Sequence, residues 1–369
     1  LSSLNIKNGN NNNLTDFYAY SNPSLYCIQV DNPAFMNTNF GGLSNKDGQS
    51  TYSSNCGCTV NIPDVNFKNA LLAIASLNTN SNGQIECYEA ASYTGGIDVN
   101  TLGISNLTGI EAFTAITALN CSENNLTSLN VSSNTALQYL NCVVNSINSF
   151  SFTPNGNLQT LYIGNNQIPG SLDLSGYTNL IDLNCANNQL TNLTLPVTNT
   201  LTTIQCQGNA ITSLNTSGNT GLVSLYCSGN QIALLDLSTN TSLVNIACNS
   251  NLLTSLNIQN GNNNNLSSFN ATSNPALTCI QVSNVSYMNT NFSAGKDAGA
   301  TYSTVCPLVC VVNIPDANFK NALLANAAIN TNSDLEIQCS EATAFTGTIN
   351  VVNLSISDLT GIEAFVNIT

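Results

Sequence analysis

The stretch LNCSENNLTSLN, residues 119–130, places one cysteine between apolar residues and shortly before two asparagines. The pattern returns 21 residues later as LNCVVNSINSFS, residues 140–151. Further passes of the pattern have their asparagine at Asn166, Asn188, Asn209, Asn230, Asn251 and Asn274. Self-similarity at such a period indicates a solenoid in which each pass forms one coil.

The spacing L-x-x-L-x-C-x-x-N-x-L-x-x-L-x-L is that of a leucine-rich repeat at the short end of its range. It predicts a mainly β solenoid with 21-residue coils, in which each L-x-C segment is a strand stacked in parallel on the next coil at about 4.8 Å. The second half of each pass is too short for a helix. We expect it to be extended, on the opposite side of the coil.

The cysteine position of the pattern is predicted to be a core position. It is occupied by isoleucine in one coil and by alanine in another (Ile163 and Ala271). Parallel neighbours also point the same way, which keeps their Cβ atoms too far apart for a disulfide. The chain has no histidine, and a line of thiols does not form a tetrahedral zinc site. We therefore expect buried free thiols at Cys121, Cys142, Cys185, Cys206, Cys227 and Cys248.

The composition excludes several classes of partner. The five basic residues are all lysines, widely spaced, and the formal net charge is −14. Nucleic acid and anionic lipid need a basic surface that this chain does not have. No apolar run approaches the roughly 18 residues of a membrane span. We expect no nucleic-acid partner and no membrane insertion.

A second period of 252 residues encloses the first. LSSLNIKNGNNNNL (1–14) returns as LTSLNIQNGNNNNL (253–266), and NIPDVNFKNALL (61–72) returns as NIPDANFKNALL (313–324). We interpret residues 1–56 as the end of one block with its C-terminal cap, and 57–306 as a complete block. That block has an N-cap at 57–106, coils at 107–282 and a C-cap at 283–306. Residues 307–369 begin the next block, so the sequence is expected to be a window of a longer tandem array.

The caps are predicted to carry short amphipathic helices and the remaining cysteines. Pro63 and Asp64 are good first-turn residues, and apolar residues follow at helical intervals. The eight cap cysteines recur at similar separations in both copies. An even number of cysteines favours disulfides if the chain is exported. We expect the pairs Cys27–Cys56, Cys58–Cys87, Cys279–Cys306 and Cys310–Cys339, although sequence alone does not fix the connectivity.

The segment NTNSNGQIECYE, residues 78–89, fits the template of a calcium-binding loop. The candidate ligands are Asn78, Asn80, Asn82, Gln84, Glu86 and Glu89. Calcium prefers anionic oxygens, and asparagine stands at position 1 where aspartate is expected. The alternative is a cap loop that keeps its shape through asparagine–backbone hydrogen bonds. Calcium is thus a weak expectation for this loop and a weaker one for residues 330–341, where Leu335 replaces the glycine.

The IPDxNF segment, the calcium-like loop, LTGIEAF (107–113) and the coils together resemble secreted leucine-rich-repeat surface proteins of Bacteroidetes-type bacteria. The resemblance implies export to the cell surface or the extracellular space by type IX secretion. The C-terminal targeting segment of that group is not visible in this sequence.

The sequence predicts a protein that is not an enzyme, because it has no histidine, no paired carboxylates in the coils and no phosphate loop. Residues flanking the inward leucine and cysteine predict a neutral concave face for adhesion to a protein or a carbohydrate. They are Tyr139, Asn141, Tyr162, Asp182, Asn184, Gln205, Gln207, Tyr226 and Asn245. The alternative is a structural stalk or self-assembling filament of blocks, whose partners are neighbouring copies of itself. No cofactor is expected apart from calcium.

Overall fold

The structure, a computed structural model, describes residues 1, 3–306, 311–331 and 335–369, except for the side chain of Ser340. By contacts, the chain divides into two compact units, Leu1–Ile168 and Pro169–Thr369. The predicted block boundaries stay a prediction. Cys310 lies outside the described residues, and so does part of the predicted loop at 330–341.

The first unit is built from short strands and short helices. Its strands are β1 (Leu4–Asn5), β2 (Cys27–Gln29), β3 (Thr51–Ser53), β4 (Gly96–Asp98), β5 (Ala118–Asn120), β6 (Ser128–Asn130), β7 (Tyr139–Asn141), β8 (Ser149–Ser151) and β9 (Thr160–Tyr162). Its helices are α1 (Pro33–Phe40), α2 (Val65–Leu72) and α3 (Cys87–Ser92), with single 3₁₀ turns at Asn11–Asn13 and Ile110–Ala112.

The second unit repeats this construction. Its strands are β10 (Pro169–Asp173), β11 (Asp182–Asn184), β12 (Gln189–Thr194), β13 (Thr203–Gln205), β14 (Ser224–Tyr226), β15 (Leu234–Asp236), β16 (Asn245–Ala247), β17 (Ser255–Ile258), β18 (Ser268–Asn270), β19 (Cys279–Val282) and β20 (Thr301–Ser303). Its helices are α4 (Val285–Asn291), α5 (Ala317–Leu324) and α6 (Cys339–Ala344), with 3₁₀ turns at Asn263–Asn265 and Ile362–Ala364.

Within each unit, the named strands that pair do so in parallel, and paired residues are about one coil apart in sequence. In the first unit, β4, β5, β7 and β9 pair in that order, with Ala118 opposite Tyr139 and Tyr139 opposite Thr160. In the second unit, β11, β13, β14, β16 and β18 pair in that order. We call these the main strands. Strands from the second half of the coils pair separately, as β6 with β8 and as β15 with β17.

The core lies between the main strands and the opposite strands. The central residue of each main strand is buried, and so is the residue at the cysteine position. In β14, for example, Leu225 and Cys227 are both 0% exposed. The parallel strands, the coil-length register and this core make each unit a leucine-rich-repeat solenoid, as the spacing predicts.

The caps differ from the sequence prediction in one respect. The predicted N-cap, residues 57–106, stands outside the predicted coils, yet it contains β4, which pairs with the coil strand β5. A glycine and an isoleucine, Gly96 and Ile97, supply this strand in place of the leucine pattern. The predicted capping helix is α2, and Asp64 caps it by accepting a hydrogen bond from the Phe67 amide at 3.0 Å.

Candidate binding face and cap loop

The outward residues of the main strands form a continuous half-buried surface in each unit. Every main strand from β5 to β16 has a buried central residue between two half-buried ones, whereas β6 and β15 on the opposite side have exposed flanking residues. Side chains of neighbouring parallel strands therefore cover one another on the main-strand side. We call the outward residues of the main strands the main-sheet face.

In the first unit, this face carries an aromatic pair. Tyr139 of β7 and Tyr162 of β9 meet edge to face with ring centroids 6.1 Å apart. Asn141 lies on the same side, at the end of β7, and its Oδ1 accepts a hydrogen bond from the Val143 amide at 3.2 Å. The three predicted residues of this unit are thus brought together by adjacent strands.

In the second unit, the same face is mostly amide and hydroxyl. The predicted residues Asp182, Asn184, Gln205, Tyr226 and Asn245 lie at outward positions of β11, β13, β14 and β16, and Gln207 follows β13. Asn245 donates to the Ser224 hydroxyl at 3.1 Å. Polar side chains on neighbouring strands therefore form hydrogen bonds along the sheet.

The asparagine column is structural. Asn230 is 7% exposed, and its Nδ2 donates to the carbonyls of Cys206, Cys227 and Ser228. Its Oδ1 accepts from the Ile211 amide of the preceding coil at 3.0 Å. Asn124, Asn166 and Asn251 repeat this arrangement. One amide per coil thus satisfies buried backbone groups of two coils.

The six coil cysteines are buried free thiols. Burial raises the pKa of Cys121 to about 12 and raises that of Cys206 well above its usual value. A thiol that stays protonated is a poor nucleophile and a poor metal ligand. Packing is the role that this environment supports.

Disulfides join cap cysteines in three places. They are Cys27–Cys56, Cys58–Cys87 and Cys279–Cys306. These are the pairs that we infer from the sequence separations. The fourth inferred pair includes Cys310, outside the described residues.

The loop at 78–89 is held by its own carboxylates and amides. Glu86 accepts from the side-chain amides of Asn80 and Asn82, at 3.1 and 2.6 Å. Glu89 accepts from the amide and hydroxyl of Thr79, both at 2.9 Å, and from the Glu86 amide at 3.2 Å. Both glutamates are buried, at 7% and 2% exposed. Gln84, the remaining candidate ligand, is exposed and uses its backbone amide to bond the Asn82 Oδ1.

The two glutamates of this loop interact closely. Burial, and then the hydrogen bond to Glu86, raise the pKa of Glu89 to about 7. Burial also acts to raise the pKa of Glu86, but hydrogen bonds from Glu89, Asn82 and Asn80 outweigh it and lower that pKa. In the equivalent cap loop of the second unit, Gln338 stands in the place of Glu86. Of the two equivalent pairs of positions, 86 with 89 and 338 with 341, the first therefore holds two acids and the second holds one.

An exposed aromatic pair that the sequence analysis missed lies near the start of the chain. Tyr18 and Tyr20 are 66% and 53% exposed and meet edge to face at 6.3 Å. In the 252-residue duplication they correspond to Asn270 and Thr272. Aligning the two copies residue by residue reveals this difference, whereas scanning for the coil pattern does not.

Among the described residues, no group of three or more histidine, cysteine, aspartate or glutamate side chains could hold a metal ion. None of the helices in the described ranges has the length and apolar character needed to cross a lipid bilayer.

Comparisons with known proteins find similarity only among solved structures. No family model matches the chain, and no curated protein matches it. The functional domain of InlJ from Listeria monocytogenes, which includes a cysteine ladder, is 29% identical, with 66% of this chain and 60% of that chain covered and a TM-score of 0.48. The leucine-rich effector YopM from Yersinia pestis is 26% identical, with 50% and 54% covered and a TM-score of 0.43. Internalin C2 from Listeria monocytogenes is 18% identical, with 65% and 94% covered and a TM-score of 0.41. The chain thus spans 60% of the length of the first of these structures.

Proposed function

We propose that this chain is a non-catalytic extracellular or cell-surface protein that adheres to a protein or glycan partner through its main-sheet face. The observation that carries the proposal is the tyrosine pair of the first unit, Tyr139 and Tyr162, set beside Asn141 on adjacent parallel strands. Tyrosine combines a large apolar ring with a polar end, which suits a surface that binds from water.

The chemistry of the face favours a neutral partner. The side chains beside the tyrosines are amides and hydroxyls, and all five lysines lie outside the main strands. Amides both donate and accept hydrogen bonds, as sugar hydroxyls and peptide groups require. Stacking and hydrogen bonding, more than ion pairing, would then supply the affinity.

The extracellular location is supported by the disulfides in the caps. Three disulfides close cap segments of 27 or 29 residues. Such bonds persist outside the cell and are rare in the reducing cytosol.

The non-catalytic character is supported by the chemistry of the ionisable groups. The chain has no histidine, which is the commonest general base at neutral pH. Burial also keeps the coil thiols protonated. The most unusual acid pair, Glu86 and Glu89, is engaged in hydrogen bonds within its own loop.

The second candidate function is a structural stalk or filament. One observation favours it: in the first unit, α3 of the predicted N-cap packs against β3 of the preceding predicted C-cap. Blocks that pack directly on one another add length to a fibre. Electron microscopy and sedimentation of the purified chain test this candidate, since a stalk-forming chain assembles end to end with rising concentration and an adhesin of this kind stays monomeric.

The binding proposal is tested with the purified chain on a glycan array and on a panel of immobilised extracellular proteins. A double variant, Tyr139→Ala with Tyr162→Ala, is expected to lose at least tenfold in affinity for any partner found. The matched control is Ser149→Ala with Ser151→Ala, on the opposite side of the coil that contains Tyr139. Equal binding by both variants would contradict a role for the main-sheet face.

A further inference from the structure

We propose that Val143 and Val144 extend the tyrosine pair of the first unit into an apolar contact site for a protein partner, one that presents an apolar side chain beside a lysine or an arginine. This inference rests on the proposed function of the main-sheet face. It chooses the protein over the glycan as the partner of that face.

The first step is the backbone of Val144. Its φ is +56°, in the left-handed region, where a β-branched side chain is strained. The turn after the main strand takes this conformation in the other coils too, with polar residues or glycine at the equivalent position: Thr101, Glu123, Asn165, Asn187, Gly208, Gly229, Ser250 and Ser273. Of this set, Val144 alone has neither a polar group nor the conformational freedom of glycine. Strain of this kind persists where a function offsets it.

The second step is that core packing does not explain the two valines. Val144 is 48% exposed. Val143 points outward, two residues beyond Asn141, and is half-buried. Its neighbour in the next coil is Gly164, because Asn141 lies opposite Tyr162 in register and the Val144 amide donates to the Gly164 carbonyl at 3.1 Å. Glycine has no side chain with which to cover Val143 from that coil. In the other coils the position of Val143 is small or polar: Asn100, Ser122, Gly164, Ala186, Gln207, Ser228, Asn249 and Thr272.

The third step is the continuity of the valines with the tyrosine pair. Tyr162 lies opposite Asn141, and Val143 is the next outward residue after Asn141 on the same strand path. Since neighbouring strands are about 4.8 Å apart, Val143 is a diagonal neighbour of Tyr162. Tyr162 in turn contacts the ring of Tyr139. Two rings and two valines therefore lie together at one end of the main-sheet face.

The fourth step is the chemistry of the partner. Valine neither donates nor accepts a side-chain hydrogen bond, so a sugar hydroxyl pressed against it would lose water without a replacement. An apolar protein side chain gains free energy from the same contact. A site of this composition therefore favours a protein.

The charge beside the valines supplies the second feature of the partner. Glu123 is exposed in the preceding coil, and its backbone amide donates to the Val143 carbonyl at 2.9 Å. No lysine or arginine occurs between residues 69 and 295. A basic residue next to the partner's apolar side chain would therefore meet an acid and no like charge.

The probe is a library of random linear peptides displayed on phage and selected on the purified chain. We expect the enriched peptides to combine an apolar residue with an adjacent lysine or arginine. The central variant is Val144→Asn, which installs the residue that the next coil has at this position, Asn165. Asparagine adopts the left-handed region more readily than valine. The midpoint of denaturant unfolding should therefore rise, whereas the affinity for a synthesised peptide should fall at least tenfold.

Two further variants serve as controls. Ser250→Asn changes the equivalent turn of a coil in the second unit, where φ is +58°, and should leave the affinity unchanged. Glu123→Gln removes the acid and should weaken binding about two- to fivefold, as the loss of an exposed ion pair does. This smaller loss should disappear at high salt.

The outcomes separate this inference from the proposed function. If Val144→Asn binds as tightly as the wild type while Tyr139→Ala with Tyr162→Ala loses binding, the main-sheet face is a binding face and the valine inference is wrong. If neither variant weakens binding, both are wrong. A lower unfolding midpoint in Val144→Asn would assign the valine to packing and overturn the inference. A selection that enriches no peptide, or glycan binding that Val144→Asn leaves unchanged, would also overturn it.

Discussion

The coils and the caps satisfy their buried backbone groups with different side chains. In the coils the side chain that does so is asparagine, which donates to backbone carbonyls and accepts from a backbone amide, as Asn230 does. In the caps and at their edges, aspartates also accept from backbone amides, beside asparagines such as Asn32 at the start of α1. Asp31 accepts from backbone amides of the 8–11 segment, and Asp64 accepts from those of Phe67, Ser105 and Asn106.

The difference follows from what each region leaves unpaired. A coil between two other coils exposes both carbonyls and amides to its neighbours, so the side chain must donate and accept. A chain end or a helix start exposes mainly N–H groups. A carboxylate, which only accepts, then serves better and forms stronger bonds. The asparagine column between the coils is thus uncharged, and Asp31 and Asp64 lie where stacking ends and begins.

The strongest test exchanges the two chemistries in a coil. Asn230→Asp keeps an acceptor for the Ile211 amide but turns a carboxylate oxygen toward three carbonyls. We expect a loss of about 3–5 kcal/mol in the free energy of unfolding, the cost of an uncompensated buried charge. Denaturant titration measures it. Asn215→Asp, exposed in the preceding coil, is the control and should change stability by less than about 0.5 kcal/mol.

The second test removes the covalent element of a cap. Replacing Cys58 and Cys87 by serine opens a disulfide that spans 29 residues. By the chain-entropy estimate the N-cap should lose about 3–4 kcal/mol. Hydrogen exchange in α2 reports the cap directly. If α2 keeps its protection while the coils lose theirs, the disulfide does not act where we place it.

The third test removes the coil amide altogether. Asn230→Ala leaves three carbonyls and one amide without their partner. It should cost about 1–3 kcal/mol, less than Asn230→Asp because no charge is buried. Denaturant titration compares the pair, and an alanine variant less stable than the aspartate variant would refute the charge argument.

The smallest effect is expected at a cap aspartate. Asp64→Ala should cost about 0.5–2 kcal/mol, the usual range for a lost helix N-cap. Burial acts to raise the pKa of Asp64, but hydrogen bonds from Phe67, Ser105 and Asn106 lower it below 3.8. The stabilisation of the folded state by ionised Asp64 is therefore complete at pH values above the ordinary pKa of 3.8. It is lost as the pH falls through the lowered pKa.

Thermal unfolding from pH 7 to pH 2 tests the sign for Asp64. The wild type should lose more stability than Asp64→Asn on acidification, because asparagine accepts the same bonds without titrating. An identical pH dependence in both proteins would mean that Asp64 does not contribute through its charge.

The coils were predictable because each repeats the same local rule. The positions of Leu140, Cys142 and Asn145 follow from the repeat spacing alone. The same spacing predicts the asparagine column. The cap chemistry was less accessible. Asp64 bonds Ser105, 41 residues away, and β4 begins with a glycine that fits no coil pattern. Such contacts depend on the path of the chain and not on local periodicity.

The sequence analysis also missed a second column of buried asparagines. Asn134, Asn219 and Asn240 are at most 1% exposed and donate to carbonyls of the preceding coil. In the sequence they are hidden among many exposed asparagines of the loops. The outward positions of the main strands follow from strand alternation, whereas Tyr18 and Tyr20 precede the predicted block at 57–306.

The buried thiols have a consequence for how the molecule opens. Each of the six lies in its own coil, and all are shielded from solvent. A thiol reacts with an alkylating reagent only while its coil is transiently open, and mass spectrometry distinguishes the six sites. Their labelling rates therefore give the opening free energy of each coil separately. A gradient of rates along the chain would show from which end the solenoid unravels, without introducing a single probe.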